Sequence, residues 1–352
     1  MASDTQKILL TGATGFLGGS ILTTLLESSE PSLKSAEITC LLRGAERAIK
    51  LSATYGERVR PVLYEGLDDV ATATAVAAEH DIAINASVGF HAASAEALVK
   101  GLGQRKATTG RDVWIIQTSG ATNIGDAPFS KPNIPIHVFD DMADDIYGHE
   151  KTLEAEQAYP QRTTELGVID NGLALGVKTL VIESPLMYGD GKGTFNTASA
   201  QTLTHRTALK RKAAAVVGDG KNVWGHVHVA DLADLYKLVL LQILDNEGKA
   251  LPSGKKGIIF SAHGERTLLE QAELVAAAGQ DLGLLPDKTV QHLSPEEAAR
   301  ELLPPLGLFT EEQIAVAGPH LAENLLGTNL RTVPSVARKL GWNPLRGEDA
   351  WE

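Results

Sequence analysis

The chain has 352 residues, 43% of them hydrophobic and 22% charged, with a formal net charge of −12. That length can bury a large core without staples, and the negative balance argues against nucleic acid and anionic membrane surfaces as partners. The single cysteine, Cys40, excludes a disulfide scaffold and a cysteine-based zinc site. No apolar run approaches the ~18 to 20 residues of a membrane span. The N-terminal MASDTQKILL lacks the pattern of a secretory leader. A cytoplasmic protein is expected.

In chain order, an apolar run at 7–10 predicts a strand, a glycine cluster follows, and 20–27 has helical spacing. Further strands are predicted at 38–42, 59–64, 81–85, 113–117 and 179–182. Helices are predicted at 71–79, 94–102 and 144–159, the last ending at Pro160. Strands alternating with helices give an α/β fold, a Rossmann-type doubly wound parallel sheet. The segment 189–225 differs, being Gly-rich and basic, and is followed by a helix at 231–244 and a strand at 257–261. The remainder reads as short helices and Pro-rich turns. The expected division is a dinucleotide-binding core of 1–188 plus 226–262, and a smaller, mostly helical substrate lobe of 189–225 plus 263–352.

Gly12, Gly15 and Gly18 are spaced G-x-x-G-x-x-G between a strand and a helix. This pattern lets the chain turn off the strand, lets backbone approach a pyrophosphate, and lets the helix pack close to the sheet. With Thr14, Phe16 and Leu17 they form the candidate phosphate loop. The second strand ends at Arg43, with Arg47 one helical turn on, where an NAD site usually carries an acid. A guanidinium suits a 2′-phosphate, so NADP(H) is favoured over NAD(H). Tyr147 and Lys151 stand at i and i+4 and share a helix face. An ammonium beside a phenol lowers the phenol's pKa and makes it a usable acid or base.

Together these motifs resemble the extended short-chain dehydrogenase/reductase family, whose members include NAD-dependent epimerases and dehydratases. TGATGFLG is similar to the family's TGxxGxxG loop, and Tyr147 with Lys151 to its YxxxK pair. Ser184-Pro185-Leu186-Met187-Tyr188-Gly189 resembles the stretch beside the nicotinamide, so the resemblance places Pro185 and Met187 at the cofactor. It likewise assigns Asp68, or else Gly66, to the adenine, and the turn at Ala86 to the nicotinamide ribose. Gly218-Asp219-Gly220, His226 to Ala233 and the terminal Leu340-Gly341-Trp342-Asn343-Pro344 match further family blocks.

The resemblance implies Tyr147 as proton donor or acceptor and Lys151 as its tuner and a ribose contact. The third catalytic position departs from the pattern. Gly120 aligns with the hydroxyl slot, so either Ser119 or Thr122 must serve. Ser184 stands where many sugar-nucleotide enzymes have arginine, which leans toward aldehyde or ketone reductases. The expected activity is hydride transfer between NADP(H) and a small-molecule carbonyl or alcohol. An NDP-sugar epimerase or dehydratase, and a non-catalytic dinucleotide-sensing regulator, are the alternatives. His226 and His228 alternate on one strand face, but no third ligand clusters with them, and no metal is expected. Many relatives pair through the two long helices after the fourth and fifth strands, about 94–102 and 144–159 here, which leaves homodimer and monomer both open.

Overall fold

The computed structural model describes residues 6–34, 36–195 and 207–347. Its centre is a seven-stranded sheet built from β1 (Ile8–Thr11), β2 (Ile38–Leu42), β3 (Val59–Leu63), β4 (Ile82–Asn85), β5 (Trp114–Gly120), β7 (Lys178–Ser184) and β11 (Ile258–Phe260). The spatial order is β11-β7-β5-β4-β1-β2-β3, and every pairing is parallel. Successive side chains alternate between faces. Ile8 and Leu10 enter one core with Ile38, Ile84 and Ile116, and Leu9 enters the other with Leu41, Ala83 and Ile115. Helices α1 (Phe16–Leu26) and α7 (Val229–Asn246) cover the first face. Helices α3 (Val70–Ala77), α4 (Ala92–Thr109) and α6 (Pro160–Leu175) cover the second. The doubly wound α/β expectation is met.

β1 lies between β2 and β4, so the strand order reverses there and opens a crevice at the carboxyl ends of β1 and β4. Side chains lock those ends together. The Thr11 hydroxyl donates to Asn85 Oδ1 at 2.5 Å, and Asn85 Nδ2 donates to Gln117 Oε1 at 2.8 Å.

The expected helix at 144–159 is two elements. Helix α5 (Ile146–Glu156) ends at Gln157, and α6 begins at Pro160. Pro160 does not stop a helix. It occupies the first turn of the next one, where its missing N–H costs nothing and its fixed φ is already helical. As a result α6, not 144–159, is the long helix packed along α4.

Beyond β7 the chain builds small sheets. β8 (Leu186–Tyr188), β10 (Val223–His228) and β12 (Gly264–Thr267) form one, and β9 (Ala214–Val217) pairs with β13 (Val290–Leu293). The two-residue strands β6 (Phe139–Asp140) and β14 (Thr332–Val333) form another. Helices α8 (Leu268–Asp281) and α9 (Glu311–Leu326) span 14 and 16 residues, longer than the short helices expected of this region. Part of the 189–225 segment, residues 196–206, lies outside the described residues. Among those described, no helix is long and apolar enough to cross a membrane.

The carboxy-terminal motif is an anchor. Trp342 Nε1 donates to the Asp231 carbonyl at 2.8 Å, while Arg346 donates from backbone and guanidinium to the Asp231 carboxylate. Asp231 is buried on α7, so the last described segment is tied to the core.

Candidate active site

The glycine loop makes a phosphate cradle. Gly12 has φ +74, and a Cβ there would stand 2.2 Å from the Ala86 carbonyl oxygen. A Cβ on Gly18 would stand 2.1 Å from the Gly12 carbonyl oxygen. Both positions therefore admit glycine alone, and the loop is pressed against the Ala86 turn. Gly15 is the N-cap of α1 and no side chain caps that terminus, which leaves N–H groups at the positive end of the helix for a pyrophosphate. These residues fit a dinucleotide. Thr14, Phe16 and Leu17 lie in the same loop and first turn.

Arg43 projects from the end of β2, exposed and without an ion pair among the described residues. Arg47 Nη1 reaches Thr14 Oγ1 at 3.4 Å, which brings that guanidinium to the cradle. Asp68 faces His91 Nε2 at 3.1 Å, and the same imidazole accepts the Ser94 N–H through Nδ1 to cap α4.

A cavity of about 560 Å³ opens between the core and the lobe. Its core side is Phe90, Ser119, Gly120, Thr122, Gln161 and the run Ser184 to Met187, from loops at the carboxyl ends of β4, β5 and β7 and the start of α6. Pro185 and Met187 are thus placed with Ser119 and Thr122. The lobe side comes from β9, Trp224, α8, Leu302 to Leu308 and Leu325 to Leu330. No charged side chain lines it among the described residues.

Gln161 was not foreseen from sequence, and it lines the core side of the cavity. Tyr159 donates to Thr122 Oγ1 at 3.2 Å, and Thr122 donates to Gln161 Oε1 at 2.7 Å. That chain fixes the amide and leaves Nε2 as its donor end. The amide fills the place a Cβ on Gly120 would take, 2.9 Å away, so Gly120 leaves its room to Gln161. Ser119 lies beside it and accepts from Asn123 Nδ2 at 3.1 Å. Behind Ser119, Asn123 Nδ2 also donates to Glu165 Oε2 at 2.7 Å. Glu150 and Glu183 complete a buried group with Glu165.

Tyr147 and Lys151 are elsewhere. The Tyr147 hydroxyl donates to Asp170 Oδ1 at 2.6 Å, and Lys151 Nζ meets Asp170 Oδ2 at 3.3 Å. Asp170 and Gln161 are nine residues apart on α6, about 180° around a 3.6-residue helix. The Tyr–Lys pair is therefore held on the opposite face from the cavity, and neither residue lines it. Its electrostatics are reversed as well. Burial and the Asp170 carboxylate push the Tyr147 phenol up to about 12, where the motif leads one to expect a lowered value. The structure thus places these two residues at Asp170 rather than on the cavity lining where the motif leads one to expect them. The i, i+4 spacing says that two side chains share a face, not which way that face points.

His226 and His228 both pack edge-on against Tyr188 and differ in what else they do. His226 is buried edge-on against Tyr188, with burial holding its pKa down to about 4, while His228 Nδ1 accepts the Ala230 N–H and caps α7.

Comparison with known proteins agrees with the fold. An NAD-binding family model described as male sterility protein matches residues 10–74. Oxidase ucsJ from an Acremonium species is 29% identical over 331 residues, covering 91% of this chain and 92% of that protein. Among solved structures, dTDP-glucose 4,6-dehydratase DesIV from Streptomyces venezuelae aligns with a TM-score of 0.62 at 15% identity, over 97% of this chain and 93% of its own. Vestitone reductase from alfalfa aligns with a TM-score of 0.57 at 14% identity, over 98% and 95%. The fold is similar to that of these enzymes and agrees with the resemblance read from the motifs to the extended short-chain dehydrogenases/reductases. The Tyr147–Lys151 pair that carries part of that resemblance lies away from the cavity.

Proposed function

We propose that the chain is an NAD(P)-dependent oxidoreductase, favouring NADP(H), that reduces a carbonyl or oxidises an alcohol on a predominantly apolar substrate. The carrying observation is the cavity. Its lining is predominantly apolar, with the polar side chains Ser119, Thr122, Gln161 and Ser184 on the core side and Thr207 and Gln271 on the other. Such a pocket buries an apolar body and orients one polar group. The names of two similar proteins, an oxidase and a reductase, agree with redox chemistry at carbon and oxygen.

The glycine loop and the α1 N-terminus would hold the pyrophosphate, and Arg43 with Arg47 the 2′-phosphate of NADP(H). When bound, the dinucleotide supplies or accepts the hydride. The chain's own task is at the oxygen. Gln161, whose Nε2 is left as a donor, and Ser119, whose side chain also bonds Glu165, both line the cavity and would stabilise charge that develops on a carbonyl oxygen. Neither is an acid, so the proton is drawn from water admitted to the cavity. An NDP-sugar substrate is disfavoured, because a diphosphate needs cationic partners, and among the described residues the lining has none. A panel of apolar ketones, aldehydes and alcohols, assayed with NADPH and NADH, tests this reading. Turnover of apolar members with NADPH supports it, and turnover confined to sugar nucleotides would overturn it.

A further inference from the structure

Helix α8 turns one stripe toward the cavity, and Leu268, Gln271, Ala272, Leu274, Val275 and Ala278 line it from that helix. Gln271 stands three residues after Leu268 and four before Val275, so it sits in the middle of the stripe. Among the described residues it is the one polar side chain that α8 gives the cavity. Its neighbours Ala272 and Ala276 pack with Ala214 and Val216 of β9, and nothing in that packing calls for an amide. Gln271 is half-buried, and its Nε2 is wholly covered without a hydrogen-bond partner. The cavity's other amide, Gln161, is held by Thr122. A covered N–H left unpaired destabilises the empty protein, and an apolar residue in the same stripe would avoid that cost.

We propose that Gln271 determines specificity: its amide bonds a neutral oxygen on the body of the substrate, away from the carbonyl or alcohol that reacts. This rests on the reading that the cavity holds the substrate. The substrate class is then an apolar ketone, aldehyde or alcohol that carries a second oxygen, as a carbonyl, ether or hydroxyl, in place of a plain hydrocarbon body. The terminal torsion of a glutamine is broad and roughly two-fold, so the amide presents its N–H to an acceptor or its carbonyl to a hydroxyl. The oxygen is neutral, because among the described residues no charged side chain lines the cavity to balance an anion. Its place follows from α8. Leu268 opens the helix and packs against Ala121 and Trp224, next to Thr122 on the core side. Gln271 lies about 4.5 Å further along the helix axis. The second oxygen is therefore separated from the reacting carbon by part of the apolar body.

The test compares ketones of equal length, one with a plain alkyl body and a set in which one methylene is replaced by an ether oxygen at successive positions. Each is assayed with NADPH and the full chain. The expected result is a kcat/KM about tenfold higher for one oxygen position than for the plain ketone, the worth of one buried hydrogen bond. Gln271→Leu should abolish that preference, raising KM for the favoured ether while leaving the plain ketone and NADPH affinity unchanged. Gln271→Met, which keeps the side-chain length, should do the same and stands in if the first variant does not fold. Equal kcat/KM for all members in wild type, or a loss in both variants that falls equally on the plain ketone, would overturn the proposal and leave the redox reading standing. Tm shifts by the same ketones, read without turnover, separate the two ideas. A favoured ether that raises the Tm of wild type more than that of Gln271→Leu, with no ketone reduced, would support the role of Gln271 and overturn the redox reading instead.

Discussion

At the scale of single residues, the molecule separates two groups that their sequence context would unite. Ser119 and Gln161 face the cavity, while Tyr147 and Lys151 are bonded to Asp170 behind α6. Removing the Tyr147 hydroxyl in Tyr147→Phe should therefore leave turnover within about twofold, the size of an exposed hydrogen bond lost without consequence for the site. Arg43 has no ion pair among the described residues to compete for it. Arg43→Ala should weaken NADPH binding about tenfold or more, the worth of a charge-assisted hydrogen bond, and leave NADH unchanged. Fluorescence titration of both nucleotides checks this. Gly12→Ala should abolish binding of either, because its Cβ meets the Ala86 carbonyl and its φ is positive. Retained NADPH affinity in that variant would contradict the cradle.

At the scale of elements, local patterns were legible and long-range ones were not. The glycine loop and the strands of the central sheet follow from short runs whose period is visible in sequence. Pro160 was ambiguous, because proline closes a helical pattern and equally opens one. Reading it as a stop hid α6, and with it Gln161. Glu150, Glu165 and Glu183 belong to three elements and show no spacing signal, so only packing brings them together. The end of α4 offers a prediction of its own. Asp81 is fully buried and bonded by Arg105 at 2.8 Å, by the Lys7 backbone N–H at 3.1 Å and by Arg111 at 3.5 Å. Burial opposes its charge, but those bonds and charges outweigh burial and hold its pKa below the ordinary value. A depressed carboxylate adds stability that is present above its unfolded pKa of about 3.9 and is lost as pH falls through the lower folded value. Asp81→Asn should cost about 3 kcal/mol at pH 7, as breaking a buried pair does. That gap should narrow below about pH 4, read by urea unfolding at each pH.

At the scale of the whole molecule, the glycine loop sits at the central sheet, and β9, Trp224 and α8 supply the far wall of the cavity. The carboxy-terminal anchor on Asp231 returns the chain to α7, so lobe and core share a wall through β10 and α7. The motif carrying Trp342 could be recognised in sequence, but its purpose appears only where its indole meets the Asp231 carbonyl. Ala215 lies on the lobe wall of the cavity. Ala215→Phe should raise KM for the preferred substrate about tenfold by filling that wall, leaving NADPH affinity unchanged. The account's central claim is that chemistry occurs at Ser119 and Gln161 and not at the Tyr–Lys pair. Its most direct test is NADPH oxidation with an apolar ketone by wild type, Ser119→Ala and Tyr147→Phe side by side. The account predicts a loss of about 100-fold or more in Ser119→Ala, as for removal of an oxyanion donor, with Tyr147→Phe near wild type. Loss of turnover in Tyr147→Phe with Ser119→Ala active would contradict it.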